Sequence, residues 1–279
     1  DSLTTPNFNR YCKEGMLFTQ FFSSGNRTDK STPAILNGYP AQPTVSIMKE
    51  PKKTQSLNSI IKSLNETGYN SEFWYGGEIN FANFHSYVIN SGFRKIISED
   101  NFIAVSDISE WGVPDHILFG ALRDSMKKVN EPFIKVVLTL SSHEPFDVPM
   151  EPVFTGNDEF AKFRNSVYYA DKSLGEFLDW AKETDWWKNT LVVLVADHYR
   201  RNSVDVLAYS EEIFRIPMLW LGGAVAKQDT VINKLGSQVD IPLTILHQLD
   251  LEGDFPFGKD LLSEESGSFA FYVFNEGFV

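Results

Sequence analysis

Apolar positions recur along this chain in two rhythms. The runs KVVLTLSS (135–142) and TLVVLVAD (190–197) are continuously apolar over strand length, which predicts strands buried on both faces in the middle of a sheet. Shorter β-rich runs at 72–75 and 216–221 add two further strands, and within the first two runs the strands are expected over 136–140 and 191–196. Between them the spacing changes to steps of three and four: Leu57, Ile60, Ile61, Leu64; then Ile117, Leu118, Ala121, Leu122; then Phe160, Phe163, Val167, Leu174, Phe177, Leu178 and Ala181. These segments predict amphipathic helices, and their aromatic stripes read as core packing. A helix is also expected over 6–14, another over 81–88, and a strand-like run over 269–274. The polar stretch 40–54 reads as a surface loop. Alternating strands and helices of this kind predict an α/β fold with a mainly parallel sheet covered on both faces.

No repeat, heptad run or low-complexity segment divides the 279 residues, so one large α/β domain is expected. The formal net charge of -12 argues against nucleic acid as a partner, since phosphate backbones are held by Lys and Arg. An anionic substrate would need local help from a metal or a few placed cations. Cys12 is the only cysteine, which rules out a disulfide within the chain and reads as a small core residue. No stretch approaches the ~18–20 apolar residues of a membrane span, and the first residues do not form a signal peptide, so the chain is expected to be soluble as it stands. It begins close to a helix and stops after an apolar run, and both ends are expected to be cut.

Three segments carry candidate chemistry. Asp197 and His198 follow directly on an apolar strand, where ligands collect in open α/β sheets, and a carboxylate beside an imidazole suits a divalent metal. Asp197 as a turn cap remains an equal alternative. In SGNRTDKSTPAILNGYPAQP (24–43) a glycine-containing turn presents Arg27, Thr28 and Asp29 before a helical start. Such a helix end favours an approaching phosphate, but a threonine alcohol needs a metal or base to become a nucleophile. Taken alone, Thr28 reads as an ordinary N-cap. His143, in SSHEPF, follows a second buried strand and is suited to protonating a leaving oxygen or holding a phosphate. His85, His116 and His247 fall in helical stretches and read as structural or solvent-facing.

Taken in order, GNRTDKSTPAILNGYPAQP, TLSSHEPF, LVVLVADH, IPMLWLGG and VDIPLTILHQL resemble the sulfatase-like branch of the alkaline phosphatase superfamily, and within it the lipoteichoic-acid synthases, which are phosphoglycerol transferases. The resemblance runs over nearly the whole chain. It implies a three-layer α/β/α sandwich with the site at the C-terminal edge of the sheet. It also implies Thr28 as nucleophile and metal ligand, Asp197 and His198 as further ligands, and His143 as a contact to substrate phosphate. The implied cofactor is a divalent metal, manganese ahead of magnesium or zinc. The implied substrate is a phospholipid or other phosphate ester, handled outside a bacterial cytoplasmic membrane by a protein anchored through helices that this chain does not contain. Phosphoethanolamine transfer, phosphodiester hydrolysis and sulfate ester hydrolysis are the enzymatic alternatives, and a non-catalytic binding domain on the same fold is the alternative of another class. Sulfatase chemistry ranks lowest, because Ser31-Thr32-Pro33-Ala34-Ile35 lacks the arginine of the formylglycine motif.

Three departures separate this chain from the family pattern. The family begins with a buried strand that ends in a metal-ligating glutamate, and none precedes Thr5-Pro6-Asn7. This fragment is therefore expected to bind metal weakly or not at all. In EFWYGGEINFANFHSY (72–87), Tyr75 stands where the synthases carry a pocket histidine, and Ala82 and Phe84 where they carry tryptophan and arginine. A different pocket lined by Tyr75, Glu78, Asn80 and Asn83 is expected, with a plain polar turn as the alternative. After Asp-His the chain reads YRRN, where Arg200 and Arg201 are candidates, along with Arg27, for holding an anionic group, with solvated surface charges as the alternative for the pair.

Overall fold

The computed structural model describes residues 2–102, 109–199 and 207–279. Strands are β1 (Met16–Phe18), β2 (Phe21–Phe22), β3 (Asn70–Tyr75), β4 (Lys95–Ile97), β5 (Phe133–Leu138), β6 (Val192–Val195), β7 (Met218–Leu221), β8 (Thr230–Ile232), β9 (Gly236–Ser237), β10 (Val273–Phe274) and β11 (Gly277–Phe278). Helices are α1 (Pro6–Tyr11), α2 (Thr28–Asn37), α3 (Pro51–Thr54), α4 (Ile60–Glu66), α5 (Phe84–Asn90), α6 (Asp115–Met126), α7 (Glu159–Lys182), α8 (Glu211–Phe214) and α9 (Ile241–Gln248). Together they form an α/β sandwich. Its strands lie in a parallel sheet ordered β4-β3-β5 and a mixed sheet ordered β6-β7-β1-β8, with β2 and β9 paired in parallel and β10 and β11 antiparallel.

Helix α7 holds the two larger sheets side by side. Asp158 caps its start by accepting from Ala161 N at 2.9 Å, and 24 residues follow without a break. Leu174 and Phe177 pack both on the apolar cluster that takes in Phe133 and Val137 of β5 and on the one that takes in Val192 and Leu194 of β6. On the opposite layer Ile35 of α2 and Ile245 of α9 do the same. They pack on the cluster joined by Ile134, Val136 and Leu138, and on that joined by Val193 and Val195. Helix α1 is tied to α7 by Asp171, whose carboxylate accepts from Asn7 N and Phe8 N, each at 2.8 Å. Gly175 allows this approach, since a Cβ there would lie 2.4 Å from Asn7 Cγ.

The two strands expected in the middle of one sheet instead end separate sheets. Among the described residues β5 is bonded only to β3, and β6 only to β7. Every residue of both is half-buried, whereas Met218–Leu221 of β7 are all buried. Covering helices close both faces of β5 and β6, so the remaining exposure comes from their unpaired edges. Among the described residues no pairing joins β5 to β6, and the slot this leaves between them is bordered by α7 on one side and by α2 and α9 on the other, which pack against both strands' clusters.

Smaller expectations also need correcting. The helix expected over 6–14 stops at Tyr11. The stretch 40–54 holds a 3-10 turn at Ile47–Lys49 and helix α3, because Met48 inserts fully into the core and anchors it. The helix expected over 81–88 is preceded by a 3-10 turn with two consecutive left-handed residues, Ala82 (φ 52°) and Asn83 (φ 64°), and becomes regular only from Phe84. Of the run 269–274 only Val273 and Phe274 are in a strand. Cys12 is half-buried at the edge of the cluster around Leu178. No described helix is long and apolar enough to cross a membrane.

Candidate active site

Thr28 opens α2. The turn before it is closed by Gly25, where a Cβ would lie 2.8 Å from Lys30 Cβ. Arg27, extended at φ -153° and ψ 153°, occupies the N-cap position, and no side chain caps this helix. Thr28 is thus the first helical residue, and its hydroxyl donates away from the helix to Asp197 Oδ2 at 2.6 Å. The ordinary N-cap reading of Thr28 is therefore set aside.

Asp197 lies just beyond β6, and each of its oxygens has a distinct neighbour. Oδ1 accepts from the His198 backbone N–H at 2.8 Å, while Oδ2 faces both Thr28 Oγ1 and, at 3.4 Å, His198 Nε2. His198 Nδ1 is 3.0 Å from the Tyr199 carbonyl, which can only accept, so Nδ1 carries a proton. In neutral imidazole the Nε2 lone pair then points at a carboxylate oxygen. That contact is favourable only with a cation or proton between the two. A backbone carbonyl holding Nδ1 while Nε2 faces a shared point is how metal-ligating histidines are oriented. The 3.4 Å separation of His198 Nε2 and Asp197 Oδ2 also suits two ligands on one ion with bonds of about 2.1 Å, while Thr28 Oγ1 is held at the same oxygen by its hydrogen bond. A carboxylate, an imidazole and an alcohol therefore fit a divalent metal, but as a partial set. Among the described residues there is no group of three or more His, Cys, Asp or Glu side chains suited to a metal.

Gln238 holds the two sides of this group together. It is fully buried just before α9, donates through Nε2 to the Ala196 and Asp197 carbonyls at 3.0 and 2.6 Å, and accepts from Ser24 N at 2.8 Å. The end of β6 and the turn leading to Thr28 are thereby joined through one amide.

His143 lies exposed in the turn after β5. Its ring faces that of Trp111 at 3.9 Å between centroids, and its Nδ1 is 3.0 Å from the Glu144 carbonyl. Asp115, fully buried at the start of α6, holds the same turn by accepting from Leu140 N at 2.9 Å and Ser141 N at 3.4 Å. Burial pushes the Asp115 carboxyl above its usual range, against the pull of these donors. Tyr75 ends β3 with its ring stacked on Phe84 at 5.6 Å. Burial, with the charges of Glu99 and Glu78, pushes its phenol up to about 12, so it is a neutral donor at physiological pH.

Glu78 and Asn83 are exposed on the segment after β3, and Asn83 is in the left-handed conformation. Arg27 is engaged by Asp29, its Nε lying 3.4 Å from Oδ1. Arg200 and Arg201 lie outside the described residues. The structure thus joins Thr28, Asp197 and His198. Among the described residues no hydrogen bond links that group to His143, Tyr75, Glu78 or Asn83. Sequence reasoning missed Gln238, Trp111 and Asp115. Gln238 lies within a Ser237–Asp240 capping box, and Trp111 and Asp115 sit in EWGVPD just before an amphipathic helix.

Comparison with known proteins matches the sulfatase family model to residues 1–251. The lipoteichoic acid synthase-like protein YvgJ of Bacillus subtilis (strain 168) is 24% identical over 289 residues, covering 95% of this chain and 47% of that protein. The chain thus spans less than half the length of this relative. A crystal structure of an alkaline phosphatase superfamily protein from Vibrio parahaemolyticus superposes with a TM-score of 0.89 at 29% identity, over 99% of this chain and 68% of that one. The lipoteichoic acid synthase LtaP from Listeria monocytogenes shares the fold, with a TM-score of 0.83 at 21% identity over 93% of this chain and 69% of that one.

Proposed function

The chain belongs to the sulfatase family, and from that premise we propose that it is the catalytic domain of a transferase that moves a phosphoglycerol-type group from a phospholipid donor through a threonine-linked intermediate. The observation that carries this reading is the 2.6 Å contact from Thr28 Oγ1 to Asp197 Oδ2, with His198 Nε2 on the same oxygen. Similarity to lipoteichoic acid synthase-like proteins over most of the chain supports the donor class. Ser31, the nearest candidate for a formylglycine precursor, is fully buried within α2, which speaks against sulfate ester chemistry.

A divalent metal, manganese ahead of magnesium or zinc, would be held by Thr28, Asp197 and His198. When bound, it supplies a lowered alcohol pKa and neutralises charge on the phosphoryl oxygens. The residues themselves divide the rest of the work. Thr28 Oγ forms the new bond to phosphorus as its proton leaves toward Asp197. The bond from phosphorus to the donor lipid's oxygen breaks, and protonated His143 gives that oxygen a proton. An acceptor hydroxyl then attacks the phosphothreonine and gives its proton to the now neutral His143, while the bond from phosphorus to Thr28 Oγ breaks and Thr28 recovers its proton from Asp197. Arg27, Tyr75, Glu78, Asn83 and Arg200 are the proposed contacts to the substrate head group.

The complete protein is proposed to carry one more strand than this chain, apolar and ending in a carboxylate, seated between β5 and β6. The two unpaired edges and the half-buried apolar residues along them support this. Similarity to lipoteichoic acid synthase-like proteins supports the further proposal that the full-length protein is membrane-anchored with this domain on the extracytoplasmic side.

The test is to incubate full-length protein and manganese with labelled phosphatidylglycerol or phosphatidylethanolamine, and to examine the Thr28 peptide by mass spectrometry. Transfer from phosphatidylglycerol with a phosphoglycerol adduct on Thr28, lost in Thr28→Ala, is the expected result. Selective use of phosphatidylethanolamine would shift the head group assignment. Turnover of neither, with no metal bound, would favour a non-catalytic domain.

A further inference from the structure

Trp111 joins three parts of the site that the sequence keeps far apart. Its backbone is locked against the turn after β3: Val113 N donates to the Gly76 carbonyl at 2.8 Å, and a Cβ on Gly112 (φ +128°) would lie 2.2 Å from Gly76 O. On the other side of this contact a Cβ on Gly77 would lie 2.8 Å from Trp111 O. The three glycines therefore let two chain segments touch through their backbones. Ser109 and Gly112 close the turn around Trp111 with hydrogen bonds in both directions, 2.9 and 3.1 Å.

The side chain is fixed as well. The edge of Phe81, from the segment that bears Glu78 and Asn83, meets the indole at 6.2 Å and 80°. The indole ring contacts the His143 ring at 3.9 Å between centroids with a tilt of 43°, and its Nε1–H donates to the Glu144 carbonyl. His143 Nδ1 reaches that same carbonyl at 3.0 Å. Because a carbonyl can only accept, Nδ1 must carry the proton in neutral His143, which leaves Nε2 as the reactive nitrogen.

We propose that Trp111 is a positioning residue that holds the His143 ring in one orientation and one tautomer, through ring contact and a shared carbonyl, with Nε2 turned to the substrate phosphate. It rests on the phosphate-transfer reading only for what His143 does there, since the hold on the ring is independent of any reaction.

The test uses the 279-residue chain labelled with 15N in its five histidines and long-range 1H–15N correlation of the rings. Wild type and Trp111→Phe, which keeps an aromatic ring, are expected to show neutral His143 as the Nδ1–H tautomer. Trp111→Ala is expected to show a tautomer mixture with an unchanged circular dichroism spectrum. Should the alanine variant lose its fold, Trp111→Leu fills the space without ring or donor and is expected to give the same mixture. In the full-length protein the alanine or leucine variant should lower turnover on the order of 100-fold, as misplacement of a catalytic group does, and phenylalanine should restore most of it. A wild-type His143 in the Nε2–H form, or a ring signal unmoved in both variants, overturns the proposal. A ring signal that moves as expected in a protein with no phosphate-ester turnover supports the hold on His143 and overturns the transfer reading instead.

Discussion

At the scale of single residues the candidate site is built as much from supporting side chains as from the groups proposed to react. Gln238 satisfies the Ser24 N–H and the Ala196 and Asp197 carbonyls inside a region closed to water. Removing its amide strands a buried donor, so Gln238→Ala should cost about 3 kcal/mol, read as a lower urea midpoint. Tyr75 gives a second test. Its folded pKa of about 12 lies above the value of about 10 for an unfolded tyrosine, so the native state keeps a proton that the unfolded chain releases. The resulting stability is complete below pH ~10 and is lost as pH rises through about 12. Thermal melts across that interval should fall less steeply for Tyr75→Phe than for wild type. That Thr28, Asp197 and His198 would meet was legible in sequence because each closes or opens an element at a recognisable boundary. Gln238 was not, since a glutamine beside a capping box signals only a helix start.

At the scale of elements, the long helices were read correctly because their apolar spacing persists over several turns, as in Leu174, Phe177, Leu178 and Ala181 of α7. The segment 81–83 defeated the same reasoning. Its apolar positions fit a helix, but Phe81 is exposed and the backbone turns left-handed at Ala82 and Asn83, which the apolar spacing does not report. Such residues are costly outside glycine, and strain of this kind collects at functional sites. Asn83→Gly should therefore leave stability unchanged or raise it slightly, by up to ~1 kcal/mol, while weakening donor use if the side chain contacts the head group. The turn after β5 is held differently, by the buried carboxylate of Asp115. Asp115→Ala strands the Leu140 N–H and should destabilise by about 2–3 kcal/mol in urea unfolding, with the His143 ring signals broadened.

At the scale of the whole molecule the α/β class was legible in the sequence, but the position of its two most apolar strands was not. KVVL and VVLV read as doubly covered, and the faces of β5 and β6 are indeed covered by α7, α2 and α9. What hydropathy cannot report is whether a strand's edges are paired, because backbone donors and acceptors are the same whatever the side chains. Among the described residues one edge of each strand has no strand partner, and both strands carry partly exposed apolar residues. Such edges template the addition of another strand. An N-terminal extension that carries an apolar strand ending in glutamate should fill this slot. It should raise the melting temperature, slow amide exchange in both β5 and β6, and bring manganese affinity that the 279-residue chain lacks or holds only weakly. The three readouts separate the causes. Glutamate replaced by glutamine in the extension should keep the stability and the protection and lose the metal. An extension that slows exchange in neither strand would mean that the slot is closed in solution and that the added segment folds elsewhere.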